Sequence, residues 1–75
     1  MRENNKEYYR YLGFNIAYYR KAANLSQEQL AEKINISRTH MSRIETADCA
    51  VSLDVVFEIC KALSISPDKL FDFRK

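Results

Sequence analysis

The sequence predicts an all-α fold of five short helices, and three features of its composition and patterning support that prediction. The chain contains one glycine, Gly13, and one proline, Pro67, whereas the tight turns of a small β fold depend on glycine. Apolar residues recur at spacings of three and four along most of the chain, which is the period of a helix face. Serines precede several of these segments at cap positions. The 75 residues suffice for one small core, so we expect a single domain over residues 1–75.

Helix 1 is predicted from about Glu7 to Ala23, because apolar residues form a stripe along one face of this segment. Asn24 follows the stripe, and asparagine tolerates the left-handed backbone conformation that ends many helices. The stripe consists of Tyr9, Leu12, Ile16, Tyr19 and Ala23.

Helix 2 is predicted from Ser26 to about Ile34. Ser26 and Gln29 have the spacing of a capping box, in which each side chain bonds the main chain of the other residue. Residues 35–37, Asn-Ile-Ser, interrupt the helical pattern and end with a serine that can cap the next helix. The side chains predicted to face inward are Leu30, Ala31 and Ile34.

Helix 3 is predicted from Arg38 to about Thr46, and it has two distinct sides. Projection at 100° per residue places Met41 and Ile44 on one side, with Glu45 at its margin. The opposite side is polar and carries Arg38, Thr39, Ser42, Arg43 and Thr46.

Helix 4 is predicted over Leu53–Leu63 behind a Ser52 cap, and its wide apolar face indicates that it is the central helix. Its predicted stripe consists of Leu53, Val56, Phe57, Cys60 and Leu63.

Residues 66–68, Ser-Pro-Asp, then combine a cap, a proline at the first position and a first-turn acid. They predict a short helix 5 that carries Leu70 and Phe71.

The composition argues against several classes of protein. No segment approaches the roughly 18 apolar residues of a membrane helix, and the first residues lack the apolar stretch of a signal peptide, so a cytoplasmic location is expected. Cys49 and Cys60 are expected to be free thiols. With His40 they make three potential zinc ligands at spacings that match no structural zinc site, and neither a metal nor a cofactor is expected. An enzyme is disfavoured because no paired acids, glycine-rich phosphate loop or activated nucleophile can be assembled.

The charge is unevenly distributed along the chain. The formal net charge is +2. Residues 1–46 hold eight lysines and arginines against five glutamates, whereas residues 47–75 hold four basic residues against five acidic ones. An anionic partner is therefore expected at the first half of the chain.

Residues 25–45 read LSQEQLAEKINISRTHMSRIE, and this segment closely resembles the helix-turn-helix of the Cro/cI-type family of phage repressors. The likeness covers about residues 12–71 and implies a lambda-repressor-like DNA-binding fold, with the helix-turn-helix at about residues 26–46. Outside the segment it is carried by Ile16, Arg20, Ser52-Leu53, Ala62-Leu63 and Leu70-Phe71.

The residues also meet the physical requirements of that motif. A helix-turn-helix needs a small residue where its helices cross, an apolar plug in the turn, and a second helix with one side anchored and the other free to enter the major groove. Ala31 and Ile36 fit the first two requirements, and the two sides of helix 3 fit the third. The sequence therefore predicts a sequence-specific transcriptional regulator, expected to be a repressor, that binds a double-stranded DNA operator.

The resemblance implies DNA-binding roles for five residues. Arg38, Thr39 and Arg43 would face base edges, with Ser42 beside them. The guanidinium groups of Arg38 and Arg43 suit bidentate contacts with guanine. Gln27 would bind a phosphate at the start of helix 2, where free main-chain N–H groups favour anions.

The resemblance also implies a structural ion pair between Arg20 and Glu45, linking helix 1 to helix 3. Such a pair would hold the recognition helix at a fixed angle, and loss of one partner would leave the other charge buried. Glu45 would then be engaged inside the protein and would not repel DNA.

Some positions depart from the family pattern, which often has glycine at the positions of Asn24, Asn35 and Ala47. Asparagine adopts the left-handed conformation readily, but alanine does so less readily, so helix 3 is expected to run on past its usual end. Asp48 stands where relatives often place basic residues, and no lysine or arginine occurs between residues 44 and 60. Few phosphate contacts and a shallow dependence of affinity on salt are therefore expected.

Several partners stay open at the level of the sequence. One recognition helix reads few base pairs, so a homodimer on a palindromic operator is expected. Its interface would be formed either by helix 5 and the tail, with Phe71 and Phe73, or by the tyrosines of helix 1. The small size also fits a restriction-modification controller, an antitoxin with a cognate toxin, or a helical protein-interaction module. Glu28 and Glu32, on the exposed side of helix 2, are candidates for contact with RNA polymerase.

Overall fold

The computed structural model describes residues 1–74, and over that range the chain forms five α-helices and no strand. The helices are α1 (Lys6–Ala22), which follows a short 3-10 turn at Glu3–Asn5, α2 (Gln27–Lys33), α3 (Arg38–Glu45), α4 (Leu53–Leu63) and α5 (Pro67–Leu70). The predicted all-α fold of five helices is confirmed, with the helix ends shifted by a residue or two. None of these five helices combines the length and the apolar character needed to span a membrane.

Serine side chains cap three of the helices, as the sequence indicates. The bonds join the main-chain N–H of Gln29 to Ser26 Oγ, of His40 to Ser37 Oγ, and of Val55 to Ser52 Oγ, at 3.0, 3.0 and 3.2 Å. The Gln29 side chain also accepts from the Ser26 N–H, which completes the capping box. Ser66 differs, because its hydroxyl donates to Asp68 and does not cap α5; the predicted cap at that position is wrong.

All five helices contribute to one apolar core, and α4 contributes most to it. The buried apolar side chains are Leu12, Ile16, Leu30, Ala31, Met41, Ile44, Val56, Ile59, Cys60, Leu63 and Leu70. Cys60 is a core residue, as predicted, and burial together with the nearby charge of Asp68 raises the pKa of its thiol. The protonated thiol is poorly nucleophilic, so Cys60 acts as a packing residue.

The structure corrects the predicted apolar stripe of α4. Leu53 and Phe57 were expected in the core but are 60% and 42% exposed. They lie at one edge of the helix, whereas Val56, Ile59 and Leu63 lie on the side that packs against the other helices. Apolar residues cover more of this helix than its neighbours can bury, and Leu53 and Phe57 are left at the surface.

Left-handed residues end the first three helices. Asn24 and Asn35 have φ angles of 60° and 62°, as their residue type suggests. Ala47 also has a φ angle of 60°, so the expectation that α3 runs on past its usual end is wrong. A side chain in this region costs about 1 to 2 kcal/mol, which two main-chain bonds offset: the Ala47 N–H donates to Ile44 O at 3.2 Å and the Asp48 N–H to Arg43 O at 2.8 Å.

Candidate nucleic-acid interface

The turn between α2 and α3 is fixed by main-chain bonds. Asn35 turns the chain with a positive φ angle, and the N–H of Ile36 then donates to the carbonyl oxygen of Ala31 at 3.0 Å. Ala31 is 1% exposed where the two helices meet, and Ile36 packs against the core. These contacts set α3 at a defined angle to α2, so the two helices form a helix-turn-helix.

One side of α3 is buried and the other is exposed. Met41 and Ile44 are 0% and 3% exposed and anchor the helix to the core. The structure brings the four predicted base-reading residues of α3 together on the opposite side, with Arg38, Thr39 and Arg43 exposed and Ser42 half-buried. This surface is polar, carries two guanidinium groups, and has the width of a helix that can enter the major groove.

Arg20 and Glu45 form a bidentate ion pair between α1 and the end of α3. Arg20 Nε donates to Glu45 Oε2 at 2.7 Å, and Nη2 donates to Oε1 at 3.1 Å. Their side chains are only 9% and 5% exposed, and Arg20 Nη1 also donates to the carbonyl oxygen of Leu25 at 2.8 Å. The pair therefore links α1, the loop before α2, and the recognition helix, and its buried charges are fully hydrogen-bonded.

Gln27 belongs to the same hydrogen-bond network. Its side-chain Nε2 donates to Glu45 Oε1 at 2.9 Å, so Glu45 joins the first residue of α2 to Arg20 on α1. Gln27 is only half-buried. Its place at the start of α2 leaves its main-chain N–H without an intrahelical partner.

Gly13 lies where α1 crosses the end of α3, a role that the sequence pattern does not predict. A Cβ on this residue would stand 2.5 Å from the carbonyl oxygen of Glu45 and 2.7 Å from that of Ile44. Both contacts are to backbone, which cannot swing away as a side chain can. A glycine in the interior of a predicted helix was the available signal, since glycine lowers helix stability and needs a packing reason to stand there.

Arg43 carries an ion pair on the exposed face. Its Nε lies 3.5 Å from Asp48 Oδ2, and the two side chains are 55% and 70% exposed. The sequence singles out Asp48 as an acid at a position where relatives often place basic residues, which predicts few phosphate contacts. The structure adds that this acid lies beside one of the two arginines of the recognition helix.

The start of α1 and the tail after α5 together form an aromatic surface. The ring of Phe73 stacks on Tyr8 at 5.9 Å and on Tyr11 at 5.6 Å between centroids, and Phe71 lies 6.3 Å from Phe73. We call these four residues the aromatic surface. The two dimer interfaces left open by the sequence are therefore contiguous, except that Tyr18 is separate and packs edge-on against Tyr19 at 5.0 Å.

Asn15 fixes the tail in this position. Its side-chain Nδ2 donates to the carbonyl oxygen of Leu70 at 2.9 Å and to that of Asp72 at 3.0 Å. Beyond it, hydrogen bonds from Arg74 lower the pKa of the Asp72 carboxyl to about 2. These bonds place Phe71 and Phe73 against α1, beside a groove whose wall includes the exposed Leu53.

Comparison with known proteins agrees with this architecture. A family model described as Helix-turn-helix matches residues 16–70. The chain is 45% identical over 51 residues to Control protein C.BamHI of Bacillus amyloliquefaciens, covering 68% of this chain and 63% of that protein. It is 41% identical over 59 residues to Control protein C.SmaI of Serratia marcescens, covering 79% and 70% of the two. The chain thus spans less than two thirds of the length of C.BamHI.

A solved structure is similar over almost the whole chain. The restriction-modification controller protein C.AhdI from Aeromonas hydrophila superposes with a TM-score of 0.87 at 29% sequence identity, covering 92% of this chain and all of that one. The family match includes both helices of the motif and the central α4. The chain belongs to the helix-turn-helix family of DNA-binding transcriptional regulators, of the Cro/cI type that its sequence resembles.

Proposed function

We propose that this protein is a sequence-specific transcriptional regulator that reads the major groove with α3. The observation that supports this most directly is the two-sided character of α3. Met41 and Ile44 anchor one side in the core, while the exposed side presents Arg38 and Arg43. The Arg20–Glu45 ion pair holds the end of the helix, so the exposed side is presented as a rigid surface, which specific recognition requires.

Each of the five interface residues has a role in this proposal. Arg38 and Arg43 donate paired hydrogen bonds to guanine, for which the planar guanidinium is suited. Thr39 and Ser42 contact neighbouring base edges. Gln27 binds a phosphate, and because its side chain also bonds Glu45, that contact positions α2 and α3 together on the duplex.

We further propose that the protein acts as a homodimer on a palindromic operator. Two recognition helices related by a two-fold axis read half-sites about 34 Å apart. The aromatic surface supplies an apolar area for pairing, with Tyr8 and Phe71 at 60% and 42% exposed and the exposed Leu53 beside them. A second copy that covers these side chains removes apolar area from water, which favours association.

The regulated genes proposed for this chain are those of a restriction-modification system in the cytoplasm. C.BamHI and C.SmaI are control proteins, and C.AhdI is a restriction-modification controller.

A reporter assay separates repression from activation. In that assay Glu28→Lys with Glu32→Lys, both exposed on α2, abolishes activation without loss of DNA binding if these acids contact RNA polymerase.

Selection of duplexes from a random pool tests the DNA-binding proposal. We expect enrichment of a palindromic site, bound by the wild-type chain and lost in Arg38→Ala with Arg43→Ala. The matched control is Lys33→Ala with Lys61→Ala, which removes two positive charges from a groove between α2 and α4 that no residue of α3 lines. This control should retain most of the affinity. No enrichment, or co-purification with a toxin that does not need the two arginines, contradicts the proposal.

A further inference from the structure

Asp48 is tied to Arg43 through its main chain as well as its carboxylate. Ala47 adopts the left-handed conformation, and the N–H of Asp48 then donates to the carbonyl oxygen of Arg43 at 2.8 Å. Together with the bond from Ala47 to Ile44, this is the Schellman arrangement that closes a helix. The carboxylate of Asp48 is thereby kept within reach of the Arg43 guanidinium, and its Oδ2 lies 3.5 Å from Nε.

The stability of the fold does not account for this ion pair. Both side chains are more than half exposed, and exposed pairs of this kind contribute little to folding. Asp48 does, however, place a negative charge at the edge of the surface that would meet the polyanionic duplex. No lysine or arginine between residues 44 and 60 neutralises that charge from within its own segment.

We propose that Asp48 is a specificity-determining residue. It allows Arg43 to contact a base but disfavours contact between Arg43 and a phosphate. The shortest contact of the ion pair joins Asp48 Oδ2 to Nε at 3.5 Å, and the terminal nitrogens of the guanidinium make no hydrogen bond to residues 1–74. In the specific complex Arg43 keeps its ion pair and uses the terminal nitrogens on guanine. In a non-specific complex the guanidinium turns to a phosphate, which breaks the ion pair and leaves the Asp48 carboxylate unpaired beside the backbone.

The inference rests on the proposed function, since it assumes that α3 reads DNA. It adds a repulsive element to the attractive contacts of the two arginines. Discrimination between partners often depends on such an element, because like charges brought together at an interface disfavour the wrong complex. Asp48 therefore weakens binding to every duplex, and weakens non-specific binding more.

The test compares two duplexes of equal length: one enriched from a random pool by the wild-type chain, and a scrambled version of it. Asp48→Asn removes the charge and keeps the main-chain turn. We expect its affinity for the scrambled duplex to rise about tenfold and its affinity for the enriched duplex to rise about twofold at most, on the scale of one lost charge repulsion. The ratio of the two affinities then falls at least about fivefold.

Glu58→Gln is the matched control. It removes the same charge from another exposed carboxylate, which is paired with Lys61 at 3.1 Å on α4. This control should leave the affinity ratio within about twofold of the wild type, and Asp48→Glu should also retain the wild-type ratio. Urea unfolding of each variant verifies that the fold is unchanged.

Each outcome separates the two proposals. If the wild-type chain enriches no duplex from the random pool, the proposed function is wrong. If the wild type discriminates between the duplexes but Asp48→Asn has the same ratio as Glu58→Gln, or a higher one, the role of Asp48 is wrong and the proposed function stands.

Discussion

The carbonyl oxygen of Glu45 lies 2.5 Å from the point at which a Cβ on Gly13 would stand. The first helix and the end of the recognition helix therefore meet backbone to backbone. The same residue, Glu45, receives the side chains of Arg20 and Gln27. The angle of α3 thus depends on the missing side chain of Gly13 and on the buried ion pair with Arg20, which both act at Glu45.

Replacement of Gly13 tests the close approach. Helix propensity alone predicts that Gly13→Ala stabilises α1 by about 1 kcal/mol. The overlap with two carbonyl oxygens predicts the opposite, a loss of about 1 to 3 kcal/mol from forced separation of the helices. Urea unfolding followed by circular dichroism gives the sign. A stabilised Gly13→Ala protein would show that α1 and α3 are further apart.

The Arg20–Glu45 ion pair predicts strong coupling between its two partners. Arg20→Leu or Glu45→Leu alone should lower the free energy of unfolding by about 3 to 5 kcal/mol, because each leaves a buried charge without its partner. The double variant should lose much less than the sum, with a coupling energy of about 2 kcal/mol or more. The exposed Glu58–Lys61 pair, replaced in the same way, should show a coupling below about 1 kcal/mol. Additive losses at Arg20 and Glu45 would contradict the structure.

A charge introduced at Gln27 tests the hydrogen-bond network that joins Gln27, Glu45 and Arg20. Gln27→Glu sets a second carboxylate against Glu45 Oε1, where the wild-type amide donates at 2.9 Å. We expect the free energy of unfolding to fall by about 1 to 3 kcal/mol, because a hydrogen bond is replaced by repulsion. Gln29→Glu is the control, since it makes the same change on the same helix but preserves the capping box and favours the helix dipole. Equal effects of the two substitutions would contradict the predicted repulsion between residue 27 and Glu45.

The aromatic surface predicts which substitution dissociates the dimer. Phe71→Glu places a charge among Phe73 and the tyrosines, and sedimentation equilibrium should show a shift from dimer to monomer with helical content retained. Tyr18→Glu, at an exposed position of α1 away from this surface, should stay dimeric. The reverse result would place the interface at the other end of α1, and a monomeric wild type at high concentration would remove the dimer altogether.

The local structure of this chain was largely predictable because its signals lie within a few residues. Capping serines at positions 26, 37 and 52 precede helices that begin where predicted. Asn24 and Asn35 turn the chain as their residue type suggests. The exposed and buried sides of α3 also followed from its period alone.

Three expectations failed, one because it depends on neighbours distant in sequence and two because local hydrogen bonds override the preference of a residue type. Leu53 and Phe57 fit the apolar period of α4, but no helix lies over that edge. Ala47 adopts a conformation that alanine disfavours, because the closing bonds to Ile44 and Arg43 are satisfied there. The hydroxyl of Ser66 bonds Asp68 and does not cap the helix.

The sequence by itself determined the helices, the polar face of α3 and the family to which the chain belongs, because these are encoded in local period, caps and a contiguous motif. Only the tertiary structure decided that Gly13 admits the backbone of Glu45 and that Gln27 joins the Arg20 ion pair. Those relationships join residues from different elements. They depend on the angles at which helices cross, and a one-dimensional pattern carries no measure of those angles.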